Sequence, residues 1–403
     1  MSAQKCRLRV CPEGWYYLLA LAVLLVIAIL REANLLVLVV GLLSGPILLG
    51  WGLAIRTLRM LEVERRVPRS VGAGDLLVVR VRVTNRRRRL SSWAVIVEDR
   101  LQPEGAAGGN TAVRSRTFFG HIPSGETRQR TYRGRMTQRG RYRLGPLEVQ
   151  TRFPFGFFSR TVVAGGTETV TILPRLGRLR PGWTARRSEA FEGSHRPQLR
   201  QTRGLGDFYG VREWRPGESR RWIHWRSSAR HDTLVVCQLE QHREFDVAVL
   251  LDLWQPRRPG VADRENVELA VSFTATVVAE VCRQGGSSLS LGIAGAEPYC
   301  LSGPVSTPLL QEAMERLAVA QPSWEDHLAK LLDRIGPQLG ANTDVILVTT
   351  RRIRIDHERL QAADGQAWWK QPLVARFRVV DTSDARLAEY FETDWPVAVW
   401  AED

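Results

Sequence analysis

The densest chemistry in this 403-residue chain lies between Gly204 and Arg230, in GLGDFYGVREWRPGESRRWIHWRSSAR. Arg212, Arg215, Arg220, Arg221, Arg226 and Arg230 are interspersed there with Phe208, Tyr209, Trp214, Trp222 and Trp225, and Glu213 and Glu218 supply carboxylates. Guanidinium planes stack on aromatic rings and fork onto carboxylates, so such a segment can wedge two domains together. The same mixture would serve a nucleic-acid surface with stacking platforms, although tryptophans this dense are more often buried than displayed. Catalytic patterns are missing. His195, His224 and His231 lie nearby, yet no Ser or Cys sits in a nucleophile elbow, and neither His-Glu-x-x-His nor Gly-x-x-x-x-Gly-Lys occurs. His224, between Ile223 and Trp225, reads as structural, and Gly204-Leu205-Gly206 is too short for a phosphate loop. Asp252 is a separate candidate: it closes the apolar run EFDVAVLLD, at the kind of strand end where open α/β sheets take ligands. We do not expect an enzyme.

The elements that must carry these residues change texture along the chain. From Leu61 to about Leu173 the pattern is strand, turn, strand: Leu77 to Thr84 alternates apolar and polar residues, SWAVIVEDRL does much the same, and Gly, Pro and Asn clusters separate the runs. A small antiparallel β-sandwich is expected. Arg86-Arg87-Arg88-Arg89 falls between the first two of these strands, either as a solvated hairpin tip or as a contact with anionic lipid. From near Phe245, strands alternate with helices: EFDVAVLLDLW, the helix-period stretch ENVELAVSFTATVVAEVCRQG ending at Gly285-Gly286, SSLSLGIAG, the helices PLLQEAMERLAV and WEDHLAKLLDRIG, then DVILVTT and VARFRVVDT. That alternation predicts a doubly wound α/β domain. Glu325-Asp326 reads as the opening turn of a helix, where exposed amides favour negative charge.

Ahead of all this stand two apolar runs between Trp15 and Ile55, separated only by Arg31-Glu32-Ala33-Asn34. Roughly 20 apolar residues span a bilayer as a helix, so helices at about 15–31 and 35–55 form an antiparallel transmembrane hairpin. Tyr16 and Tyr17 suit the interface, and a cleaved signal peptide is disfavoured because a second apolar run follows at once. Gly41, Ser44, Gly45, Pro46 and Gly50 either let the two helices approach closely or are ordinary transmembrane composition. Lys5, Arg7 and Arg9 precede the hairpin and Arg56, Arg59, Arg65, Arg66 and Arg69 follow it, which places both ends, and the body beyond residue 60, in the cytoplasm. The domain plan is therefore 1–59 hairpin, 60–180 β domain, 181–242 signature segment and 243–403 α/β domain.

Composition agrees. The net charge of +15 is almost wholly arginine, since lysine occurs only at Lys5, Lys330 and Lys370. Such a surplus attracts polyanions, and the nearest one to a tethered body is the anionic inner leaflet. Nucleic acid has no finger, RNP string or helix-turn-helix behind it. Five cysteines, Cys6, Cys11, Cys237, Cys282 and Cys300, show no Cys-x-x-Cys pair, so reduced and mostly buried thiols are expected.

The signature string resembles the domain of unknown function 58 family, whose members carry Arg-x-Tyr/Trp-x-x-Gly-Asp, then Arg-x-Ile-x-Trp, then Ser-Ala-Arg. The matching residues are Arg212, Trp214, Gly217 and Glu218, then Arg221, Ile223 and Trp225, then Ser228 and Arg230. Glu218 replaces the usual aspartate. Arg139-Gly140-Arg141-Tyr142-Arg143-Leu144-Gly145-Pro146 and Phe153-Pro154-Phe155-Gly156 resemble two further family segments, and the N-terminal hairpin is typical. The resemblance implies a C-terminal domain similar to von Willebrand factor type A, whose first strand ends in Asp-x-Ser-x-Ser and holds Mg²⁺ through oxygen ligands. Here that stretch is Asp252-Leu253-Trp254-Gln255-Pro256, a degenerate site with both hydroxyls lost, so no metal or other cofactor is expected. Asp252 is left to pair with an arginine, one from the signature string among the candidates, or to stand as a solvated carboxylate.

The family also implies partners: a MoxR-type AAA+ ATPase and a membrane-bound transglutaminase-like protein. The expectation is therefore a bacterial inner-membrane, multi-pass scaffold or adaptor in assembly or maturation at the cell envelope. The alternative is an arginine-rich polyanion binder at the inner membrane surface, holding anionic lipid or nucleic acid.

Overall fold

A computed structural model describes residues 6–104, 113–180, 183, 207–215, 223–231, 233–240, 246–285, 288–339, 343–353, 377–384, 386–393 and 400–401. The chain divides into two compact units: Met1–Leu176 with Met314–Val319 and Asp394–Asp403, and Gly177–Ala313 with Ala320–Thr393.

The first unit opens with two apolar helices, Pro12–Leu30 and Asn34–Thr57. At 1.5 Å per residue they are about 28 and 36 Å long, and both are long and apolar enough to cross a membrane. Leu30, Leu35, Leu38 and Leu42 are exposed along them. The Tyr17 hydroxyl donates to the Leu43 carbonyl of the other helix at 2.8 Å. The small residues do not all face a close neighbour, for a Cβ at Gly41 or Gly45 would meet nothing within 4 Å. The tight contact is Gly14, against the Phe157 carbonyl, while Gly50 faces Phe155 and Phe158 at ordinary contact distance.

The rest of this unit is two sheets around one apolar core. One runs Leu61–Arg66, Leu76–Asn85, Thr127–Arg135 and Trp400–Ala401, antiparallel throughout. The other orders Cys6–Val10, Phe158–Val163, Glu148–Thr151, Ser92–Pro103, Gly140–Leu144, Glu168–Leu173 and Ser70–Gly72, with Val113–Ile122 also paired to Ser92–Pro103. Alternation decides which side chains go in: Leu77, Val79, Val81 and Val83 of one sheet meet Val95, Val97, Tyr142 and Leu144 of the other. Strands Leu76–Asn85 and Ser92–Pro103 thus belong to different sheets, and Arg86–Arg89 lies on a crossover rather than at a hairpin tip. A polar bridge crosses the core as well. Arg65 holds Asp99 at 2.8 and 3.0 Å and the Leu144 carbonyl at 3.2 Å, while the Tyr132 hydroxyl donates to Asp99 at 2.6 Å.

The second unit is built on a five-stranded sheet in the order Tyr299–Pro304, Ser288–Ala294, Asp246–Asp252, Asp344–Thr349, Phe377–Asp381. Only the Tyr299–Pro304 edge is antiparallel. Asp246–Asp252 sits centrally and buries nearly every residue, as its continuous apolar run requires. Helix Val261–Gln284 packs on the three central strands and stops at Gly285, whose φ of +74° is the left-handed conformation glycine supplies. Helix Leu328–Ile335 shares an apolar cluster with Ala248, Leu250, Val345 and Leu347. Gly292 lets that helix come close: a Cβ there would lie 2.9 Å from Leu250 and 3.1 Å from Leu331. The helix begins at Leu328, so Glu325 and Asp326 stand before it rather than in its first turn, and Asp326 accepts the Leu328 amide at 3.1 Å. Of the four cysteines whose side chains are described, only Cys11 is buried, and Cys6 is exposed.

Candidate functional site

Two places carry the residues singled out by sequence. The first is the signature segment. Its strand Asp207–Glu213 forms an antiparallel ribbon with Val235–Glu240, in which Arg212 pairs with Val236. Ile223, buried, bridges to the same Val236, and the Trp214 amide donates to Leu234 at 2.7 Å. Ser228, on the short helix Trp225–His231, accepts the Val235 amide at 2.9 Å and donates to the His224 carbonyl at 3.1 Å. Arg212, Trp214, Ile223 and Ser228 therefore converge on Leu234–Val236. Trp225 is not buried as the density of tryptophans suggested; it is 64% exposed, and Arg230 is exposed too. His224 is also exposed, its Nδ1 2.9 Å from the Ser227 hydroxyl at the start of the helix. Gly217, Glu218 and Arg221, with His195 and Gly204–Gly206, lie outside the described residues.

The second place is the carboxyl end of the central strand. Asp252 pairs in register with Thr349 of the neighbouring strand, so whatever follows Thr349 emerges beside it. The Thr349 hydroxyl lies 3.2 Å from Asp252 Oδ2 and the Arg351 Nε 3.1 Å from the same oxygen. The other end of the Arg351 guanidinium reaches Asp326 at 2.9 Å, and its carbon stands 5.3 Å from the centre of the Trp254 ring. Trp254 in turn donates its indole N–H to the Trp324 carbonyl at 3.0 Å, and Arg257 stacks over the half-exposed Trp324 ring at 4.1 Å. Asp252 is thus buried rather than solvated, and among the described residues its ion-pair partner is Arg351. The signal for that partner was in the sequence. Two flanking strands of equal phase end together, so the residues just past DVILVTT had to meet Asp252.

Burial pushes the Asp252 carboxyl up, and the Arg351 guanidinium and the Thr349 hydroxyl pull it back without cancelling the rise. For Arg351 burial acts downward, but Asp252 and Asp326 outweigh it and hold the guanidinium above its ordinary value. A divalent cation does not fit this arrangement. The carboxylate that would ligate it already holds a fixed cation, and the positions that would supply hydroxyls are Trp254 and Pro256. Among the described residues no group of three or more His, Cys, Asp or Glu gathers elsewhere. What the arrangement presents is two tryptophans, each with a guanidinium on its face, beside the carboxyl end of the central strand.

Comparison with known proteins bears on this same stretch. Residues 210–389 match the family described as Protein of unknown function DUF58. The uncharacterized protein YeaD of Bacillus subtilis (strain 168) is 23% identical over 301 residues, covering 74% of this chain and 72% of that protein. Among solved structures, the CARDB domain of PF1109 from Pyrococcus furiosus is 19% identical, with a TM-score of 0.19, over 28% of this chain and 94% of its own. The superoxide reductase (neelaredoxin) from Ignicoccus hospitalis is 15% identical, with a TM-score of 0.19, over 28% of this chain and 80% of its own. Residues 210–389 are therefore similar to the DUF58 family, a segment that holds most of the signature ribbon and the Asp252–Arg351 site.

Proposed function

We propose that the chain is a membrane-anchored, non-catalytic interaction scaffold whose second unit is an A-type domain that docks a protein partner without a metal. The observation that carries this reading is the Asp252–Arg351–Asp326 network. It puts a permanent internal cation at the sheet end where such domains take their ligand, beneath the Trp254 and Trp324 faces. The strand order, with one antiparallel edge outside a parallel set, supports the A-type reading. The two apolar helices support the anchor, with the arginines flanking them favouring an inner membrane and a cytoplasmic body. Family resemblance supplies the partner: a MoxR-type AAA+ ATPase, with a transglutaminase-like membrane protein in the same assembly, acting in assembly or maturation at the cell envelope.

The test is to extract the tagged chain from its native membrane in mild detergent and identify what co-purifies at moderate salt, with and without ATP. An AAA+ ATPase whose recovery responds to nucleotide, and is lost with Trp324→Ala and Arg257→Glu, is the expected outcome. Recovery of lipid or nucleic acid alone, released as salt rises, would overturn the scaffold reading, because counterion release makes phosphate binding steeply salt-dependent.

A further inference from the structure

The first unit carries a feature that the scaffold reading does not use. The turn Phe153-Pro154-Phe155-Gly156-Phe157-Phe158 is seated against the apolar helices themselves. The Phe157 ring stands 4.6 Å from Tyr17, its carbonyl accepts the Cys11 amide at 2.8 Å, and a Cβ on Gly14 would come within 2.5 Å of that carbonyl. On the second helix, a Cβ at Gly50 would lie 3.6 Å from Phe155 and 3.7 Å from Phe158. Gly50 is seven residues before the helix end at Thr57, which at 1.5 Å per residue puts the turn about 10 Å along the helix from its end. Phe155 is nonetheless 50% exposed. One side of its ring packs on Phe157, with centres 5.7 Å apart, and for the exposed half at that height the medium that suits it is acyl chain.

The helix end is fixed to the sandwich with equal firmness. Arg87 donates to the carbonyls of Arg56 at 2.9 Å and Thr57 at 3.1 Å, Arg160 donates to that of Ile55, and the Arg86 amide bonds Met60 at 3.1 Å. These guanidiniums satisfy carbonyls that a helix leaves open at its C-terminus, so the crossover is clamped beneath the helix. Around the clamp, Arg56, Arg59, Arg88 and Arg89 are exposed beside exposed Met60 and Leu90, while the nearby Glu62 is neutralised by Arg86 at 2.7 Å. Basic heads flanked by apolar side chains at the foot of a membrane helix match a leaflet of anionic headgroups.

We infer that this face is a lipid-binding surface: the Phe153–Phe158 turn enters the leaflet, and Arg56, Arg59, Arg88 and Arg89 hold anionic phospholipid headgroups around it. The inference rests on the hairpin lying in a bilayer, and the test separates the two. Spin labels are placed at Phe155→Cys, Leu38→Cys and Leu176→Cys in the full chain with its native cysteines changed to serine, reconstituted in phosphatidylglycerol–phosphatidylcholine bilayers. Collision with a water-soluble nickel chelate is then compared with collision with oxygen. The expected result is that Phe155 is shielded from nickel like Leu38, while Leu176 is open. Phe155 open with Leu38 shielded would overturn the inference and leave the anchor standing; Leu38 open would overturn the anchor and the inference with it. With native cysteines in place, native mass spectrometry of the detergent-solubilised chain should show phosphatidylglycerol retained over phosphatidylcholine. Arg88→Gln and Arg89→Gln should weaken that retention about fivefold each. Equal retention of the two lipids, or displacement by free glycerol phosphate at matched concentration, would overturn the headgroup assignment.

Discussion

Each unit buries an arginine–aspartate pair, and the two pairs do opposite things. Arg65 and Asp99 are 1% and 3% exposed, and among the described residues their polar partners are structural: the Tyr132 hydroxyl and the Arg100 amide on Asp99, and the Leu144 and Gly166 carbonyls and Glu168 at 3.5 Å on Arg65. The pair joins strands of two different sheets and faces no solvent. Arg351 and Asp252 are 22% and 2% exposed; the carboxylate is sealed, but the guanidinium reaches outward to Asp326 and lies against Trp254. A charge pair enclosed on all sides contributes to one architecture, whereas a pair with one member at the surface can present that member to something else. The same two residue types make a closed latch in one unit and a pair with one outward-reaching member in the other.

The comparison breaks first at Arg65. Arg65→Met leaves the Asp99 carboxyl without its cation in an apolar core and should cost about 3–5 kcal/mol, read as lost hydrogen-exchange protection in strands Leu61–Arg66 and Ser92–Pro103. Arg351→Met should cost about 1–3 kcal/mol, less because its guanidinium is partly solvated, and the loss should depend on pH. Burial raises the Asp252 carboxyl in the folded state, and without the guanidinium it rises further. A raised carboxyl contributes stability that is present below its unfolded value, about 3.9, and is lost as pH rises through the folded value. Urea unfolding of the variant should therefore show a smaller deficit at pH 5 than at pH 7.5, and adding Asp252→Asn should remove most of that difference. A smaller effect sharpens the latch: Tyr132→Phe deletes one hydrogen bond to Asp99 and should cost about 1 kcal/mol at neutral pH. Burial, and then the Asp99 carboxylate, push the Tyr132 hydroxyl far above its ordinary range. Its stabilisation is thus present below about pH 10 and lost as pH rises beyond, so the gap between wild type and variant should close in alkali. The smallest effect is none at all. Millimolar Mg²⁺ should leave the melting of the detergent-solubilised chain unchanged, and a shift would show that a metal displaces Arg351.

Periodicity made much of this legible. The apolar runs announced the two helices, and alternation over Leu77–Thr84 announced a strand half buried in a sandwich. The continuous run DVAVLLD marked the central strand, because only burial on both faces tolerates it. What stayed hidden depended on which distant residues meet. Arg65 reads as one basic residue among the many that flank the helices, and nothing local says that Asp99 and Tyr132 will enclose it. The edge strand Tyr299–Pro304 was missed because an edge needs little apolar content. Arg86–Arg89 looked like a hairpin tip because its two flanking strands are adjacent in sequence, yet they part to opposite sheets. Trp225 looked buried by composition alone, although it is Ile223, two residues earlier, that is buried. At the Asp252 site the acid was legible outright, whereas Arg351, 99 residues away, is legible only once the two strands are taken to end in phase.

The clamp of Arg87 and Arg160 on the last carbonyls of the second helix also has a mechanical side. A flexible tether would absorb a pull as slack. Here there is none: with the Phe157 turn bonded to the first helix as well, sandwich and hairpin move as one lever. A sideways pull on the sandwich would therefore load both helices together instead of being lost in a linker.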